Sequence, residues 1–304
     1  MLQMNLCKSL LLHCAVTLFS FHAVAQETDN AVTANAMPIM VSDKFAFTEG
    51  PAVNKAGEVF FTDQPNNKIW KFDTKGKLSV FLDSAGRSNG MYFDSKGNLI
   101  TCADGKNELW KISPSGKVTV LVKNFQNHRL NGPNDLWIDR ADNIYFTDPF
   151  YKRDYWKHTT PDSGLKGQHL YFLKKGKNKP VIIDSTLKQP NGIVGTADGK
   201  RLYVSDIGAR RIYQYDILKN GSVANRKLFA EDLSDGMTVD EKGNLYIAGN
   251  GVTVYNTKGE KIQEIEIPSK WTANLCFGGS DRKILFITAS ESVYIMPMKV
   301  RGAR

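Results

Sequence analysis

Six oxygen-bearing side chains recur along this chain, each eight residues ahead of the same kind of turn. They are Glu49, Asn89, Asn134, Asn191, Asp235 and Asn274, and their turns fall at Gly57, Gly97, Asp142, Gly199, Gly243 and Arg282. A short apolar run follows each turn, such as Val59-Phe60-Phe61, Ile144-Tyr145-Phe146 or Ile284-Leu285-Phe286-Ile287. An offset held through six copies makes each copy one structural unit, with its polar side chain in the same place. If the units surround an axis, the six side chains converge. Two carboxylates and four amides at one point would suit a hard divalent cation.

Each unit reads as short strands separated by turns. The ligand-bearing segment comes first, as in Asn134-Asp135-Leu136-Trp137-Ile138. Strand alternation would put Asn134, Leu136 and Ile138 on one face, with Asp135 and Trp137 on the other. The apolar strand follows, then a third strand with a recurrent aromatic (Ile69-Trp70-Lys71-Phe72, Ile212-Tyr213-Gln214-Tyr215). Segments such as Lys77–Leu82, Val118–Val122 and Lys261–Ile267 fit a fourth, outer strand. Four strands per unit, at a spacing near the roughly 40–50 residues of blade repeats, predict an all-β fold, a six-bladed β-propeller. The sixth unit lacks a fourth strand, and the apolar N-terminal segment 38–41 is expected to supply it and close the ring.

One propeller domain is therefore expected over residues 38–304, after a flexible leader at 26–37 and a signal peptide at 1–25. The first 25 residues contain one basic residue (Lys8), the apolar stretch Leu10–Phe21 and the small-x-small end Ala23-Val24-Ala25. That pattern predicts export with cleavage before Gln26, to the periplasm or medium. The apolar stretch is short of the roughly 20 residues a membrane span needs, and the sequence predicts no membrane insertion. The formal charge of +9 loses only Lys8 with the signal peptide. Its lysines and arginines are scattered over many turns, which argues against nucleic acid and for a solvated basic surface. Cys102 and Cys276 are the cysteines left after cleavage. They read as buried free thiols, with pairing in an oxidising compartment as the alternative.

Segment 150–168 breaks the repeat between the third and fourth units. It holds Tyr151, Arg153, Tyr155, Trp156 and His158, and is either a lid over one face of the propeller or a plain surface loop.

In their joint order, Thr48-Glu49-Gly50-Pro51, Pro133-Asn134-Asp135, Phe146-Thr147-Asp148-Pro149, Pro190-Asn191-Gly192, Tyr203-Val204-Ser205-Asp206, Ser234-Asp235-Gly236-Met237 and Phe277-Gly278-Gly279 resemble the regucalcin–gluconolactonase family of six-bladed propellers. The likeness is nearer to its bacterial gluconolactonase and drug-responsive lactonase branch. It implies a lactone hydrolase acting on a small-molecule lactone, with one divalent cation in the channel held by Glu49, Asn191 and Asp235. Asn134 would join the metal shell or hold substrate; by the repeat, Asn89 and Asn274 take the remaining channel positions, where they would contact substrate or stand behind the metal's ligands. Where regucalcin-like members carry a sugar-gripping arginine, two residues before Asn134, this chain has Gly132; Arg129 lies three residues further upstream.

The donor set points to calcium first, with magnesium, manganese or zinc as alternatives, since amide oxygens suit hard cations. Asp235 is the first candidate for the acid/base, as a ligand with a second oxygen free; Asp135 is the second. Neither a Gly-x-Ser-x-Gly motif nor a histidine in triad context is present. Two other readings are open: hydrolysis of phosphotriesters or fluorophosphates at the same metal, and a non-catalytic binding propeller. Oligomeric state is not legible in the sequence.

Overall fold

The computed structural model describes residues 36–303, so the signal peptide and most of the leader expected at 1–37 lie outside the described residues. The chain folds into six four-stranded antiparallel sheets arranged as the blades of a β-propeller. Blade 1 runs Thr48–Val53, Val59–Asp63, Lys68–Phe72 and Leu78–Asp83, in the order inner to outer. The inner strands of the other blades are Ser88–Phe93, Leu136–Ile138, Pro190–Gly195, Met237–Val239 and Thr272–Gly278.

Ring closure follows the sequence reading. Blade 6 takes its outer strand from Ile39–Ser42, which pairs with Ser292–Pro297 in the register Ile39 to Ile295 and Met40 to Tyr294. N- and C-terminal segments share one sheet, leaving no open seam in the ring. Outside the strands, the helical pieces among the described residues are two single turns, Asp104–Lys106 and Ile207–Ala209. No helix among them is long and apolar enough to cross a membrane.

The repeated turn has a backbone cause. All six turn positions have left-handed φ, from 57° at Arg282 to 88° at Gly57. Glycine reaches that region without steric cost, and aspartate more readily than most residues. In blades 1, 2, 3 and 5 the residue three earlier (Asn54, Asp94, Asp139, Asp240) accepts the backbone N–H groups two and four residues on through its side-chain oxygen.

Apolar runs appear at the second strand because each blade packs between two others. Val59–Asp63, Leu99–Ala103, Ile144–Asp148 and Leu245–Gly249 are buried at every position. A strand covered on both faces has no solvent side to alternate with. Cys102 and Cys276 are buried and unpaired, in separate hydrophobic clusters.

Candidate active site at the channel mouth

Five of the six repeated side chains are buried and the sixth, Asp235, is half-buried, and a bulge in the inner strand aims them. Register slips by one residue between Glu49 and Ala52, Ser88 and Met91, Pro190 and Ile193, and Thr272 and Asn274. In blade 3 both Asn134 and Asp135 pair with Thr147: Asn134 N–H donates to the Thr147 carbonyl, and Thr147 N–H to the Asp135 carbonyl, each at 3.0 Å. A bulge sets two residues against one and breaks the period of two.

Asp135 therefore does not alternate away from Asn134 as plain strand geometry predicts. It is buried, its charge raises the pKa of Glu49, and it lines the central channel with Asn274. Glycine neighbours explain why it fits. Glu49, Asn89, Asn191 and Asp235 are each followed by glycine. A Cβ on Gly50 would stand 2.0 Å from the Asn89 carbonyl oxygen, one on Gly192 2.3 Å from that of Asp235, and one on Gly236 1.9 Å from Asn274 Cγ. Only a residue without a side chain lets neighbouring blades approach this closely. Asp135 stands where blade 3 would carry that glycine. Its Oδ1 accepts the Leu136 N–H at 2.8 Å, and its Oδ2 the Ile193 N–H of blade 4 at 3.4 Å.

The acidic groups share one environment. Burial, then repulsion from Asp235, holds the Glu49 carboxyl well above the usual carboxylate range. Glu49 Oε2 accepts the Gly50 N–H at 2.7 Å and Asn274 Nδ2 at 3.3 Å. Burial also raises Asp235, to about 6, against the hydrogen bonds of Trp271 and Asn191 and the charge of Arg153. Trp271 Nε1 donates to Asp235 Oδ2 at 2.7 Å. The second oxygen expected to be free is thus already held. Asp135 is pushed up to about 7, mainly by burial.

Three neighbouring carboxyl groups whose surroundings disfavour ionisation are an incomplete electrostatic arrangement. The amides point the same way: Oδ1 of Asn89 and of Asn191 are buried with no hydrogen-bond partner. Orphaned carbonyl oxygens beside repelling carboxylates fit a hard cation. Among the described residues no three Asp, Glu, His or Cys side chains are grouped closely enough to hold a metal by themselves, so amide oxygens have to complete any shell. Asn134 is buried as well, and its carbonyl accepts the Gly90 N–H at 2.7 Å.

Segment 150–168 folds over this same end of the channel as a lid. Asn191 Nδ2 donates to the Tyr151 hydroxyl at 2.8 Å, and the Arg153 guanidinium carbon lies 5.2 Å from the Tyr151 ring centre. The lid is latched to Asp104 of blade 2. Arg153 Nε reaches Asp104 Oδ2 at 3.2 Å, the Tyr155 hydroxyl donates to the same oxygen, and Trp156 Nε1 donates to the Asp104 carbonyl at 2.9 Å. Arg129 serves elsewhere: its Nη2 donates to the Thr160 carbonyl at 3.1 Å. Repeat reasoning missed Tyr151, Arg153 and Trp271, which have no counterparts in other blades. The aromatic and charged composition of 150–168 was the available signal.

The model of the SMP-30/gluconolactonase/LRE-like region matches residues 47–291, covering every blade. The chain belongs to this family. Among relatives of the SMP-30/gluconolactonase family, a gluconolactonase of Zymomonas mobilis is 28% identical over 295 residues, spanning 86% of this chain and 82% of its own. A gluconolactonase structure from Xanthomonas campestris superposes with a TM-score of 0.81 at 26% identity, covering 88% of this chain and 91% of that one. Regucalcin from Agrobacterium tumefaciens shares the fold, with a TM-score of 0.74 at 18% identity over 88% of this chain and 95% of its own.

Proposed function

We propose that the protein is an exported, divalent-metal-dependent lactone hydrolase of the gluconolactonase type. The observation that carries this reading is that Glu49 feels the charges of Asp235 and Asp135 while the amide oxygens of Asn89 and Asn191 are buried without hydrogen-bond partners. Relatives named gluconolactonase that span most of this chain support the substrate class. Export rests on the composition of residues 1–25.

Glu49, Asn191 and Asp235 would hold the cation, with Asn134 beside them, and calcium suits these oxygens best. A dication bound there supplies Lewis acidity toward the lactone carbonyl and lowers the cost of the tetrahedral oxyanion. The protein's own groups do the rest. Asp235, whose Oδ2 is oriented by the Trp271 indole, would accept the proton of the attacking water at the remaining lone pair of that oxygen and return it to the ring oxygen as the C–O bond breaks. Asp135 is the second candidate for that proton, since burial keeps its affinity for one near neutrality. Asn89, Asn134 and Asn274 bind the substrate, and the lid keeps bulk water away.

The test is a panel of sugar lactones assayed with calcium, magnesium, manganese and zinc, before and after chelation. Hydrolysis that disappears on chelation and returns with metal supports the reading. Hydrolysis of no lactone under any metal overturns it.

A further inference from the structure

The lid carries one cation to the channel mouth, and most of its hydrogen-bonding capacity is unspent. A guanidinium has five N–H donors. Arg153 gives its Nε–H to Asp104, and among the described residues neither terminal nitrogen has a protein acceptor. The side chain remains 26% exposed, while Asp104 beneath it is buried. Its charge reaches both Asp235 and Glu49. The Tyr151 ring, 5.2 Å from the guanidinium carbon, and the Asp104 contact together restrain the group and leave its terminal nitrogens to donate elsewhere.

This placement depends on what lies under the lid. A Cβ at Gly132 would stand 2.7 Å from the Trp156 ring and 2.8 Å from Asp104 Oδ1. Trp156 occupies the room that any side chain at 132 would need. Glycine there allows the lid to seat, and the seated lid brings Arg153 over the mouth.

We propose that Arg153 is a specificity-determining residue of this site, binding the hydroxyl oxygens of a sugar-acid lactone through its terminal guanidinium nitrogens. The inference rests on the lactonase reading above. Neutral oxygens are favoured over an anionic substituent for two reasons. Asp104 already neutralises Arg153, and the acid groups of Glu49 and Asp235 lie within reach of its charge. A paired guanidinium still donates strong hydrogen bonds to neutral acceptors.

The experiment compares kcat and KM on glucono-δ-lactone and on δ-valerolactone, which has the same ring without hydroxyls. Arg153→Ala is expected to lower the sugar-to-bare ratio of kcat/KM by about 10- to 100-fold, mostly through KM, the range of charged hydrogen bonds lost. Arg153→Lys recovers part of it. Tyr155→Phe, which weakens the latch but keeps the guanidinium, is expected to lower both lactones by a similar factor. An unchanged ratio in Arg153→Ala overturns the inference, as does a Tyr155→Phe ratio that shifts as far as Arg153→Ala. A wild type that hydrolyses neither lactone defeats the lactonase reading, and this inference with it, before any variant is compared.

Discussion

Asn274 and Glu49 stand 225 residues apart, yet Asn274 Nδ2 donates to Glu49 Oε2 at 3.3 Å. The bond joins the last blade to the first at the mouth of the channel. It also stabilises the charged form of Glu49, which burial and the Asp235 charge oppose.

Glu49→Gln should therefore separate stability from activity. In chelator the variant is expected to be more stable than wild type by about 1–2 kcal/mol, because one member of a repelling buried set is neutral. Activity should fall at least about 100-fold, together with the thermal upshift on adding calcium. Paired thermal melts and lactone assays check both; a destabilised chelated variant contradicts the electrostatic reading.

Trp271→Phe removes the indole donor from Asp235 Oδ2. A lost hydrogen bond to the charged form raises a carboxyl pKa. The acid limb of the kcat/KM profile should move to higher pH, by less than about one unit, with maximal kcat reduced. A profile that moves to lower pH would exclude Asp235 as the group seen.

Glycines beside the converging residues predict a graded packing effect. Gly192→Ala puts a methyl group 2.3 Å from the Asp235 carbonyl oxygen, whereas Gly97→Ala meets nothing within 4 Å. The first should cost several kcal/mol, on the order of 3 or more. The second should cost only the left-handed penalty of about 1–2 kcal/mol. Denaturant melts of the two variants decide it, and equal losses would contradict the close-approach argument.

Stability without metal should fall as pH rises. Asp148 accepts the N–H groups of Asn131 and Gly132 at 3.0 and 2.8 Å, and burial raises it to about 7. Between about pH 4 and 7 the unfolded chain releases this proton while the folded chain keeps it. Fewer protons on the unfolded state means stability declines with pH, by at most about 1.4 kcal/mol per unit for one such group, then levels above about 7. Asp135 contributes in the same direction. Asp148→Asn should flatten part of the slope, and urea midpoints from pH 4.5 to 8 measure it.

Much of this was legible because the repeat is physical. A fixed offset of eight reflects an irregular inner strand and a left-handed turn that recur from blade to blade, which carries Glu49 and Asp235 toward one channel. Ring closure could be read from a missing strand at one end and a spare one at the other. Asp135 was placed on the wrong face because alternation assumes an unbulged strand, and the one-residue excess is visible only in the pairing with Thr147. Tyr151 and Arg153 lie in a segment without a repeat partner, and nothing in local sequence says which way such an insertion folds. The Trp271–Asp235 bond joins two blades through side chains alone, which no strand pattern encodes.

On the function proposed above, Glu49 and Asp235 share one divalent cation. Calcium titration of chelated wild type, Glu49→Gln and Asp235→Asn, followed by calorimetry, tests it most directly. One site is expected in the wild type, with an affinity at least about 100-fold weaker in both variants, since each has lost a carboxylate ligand. Binding to wild type and both variants with the same affinity, or no binding to any of them, would contradict it.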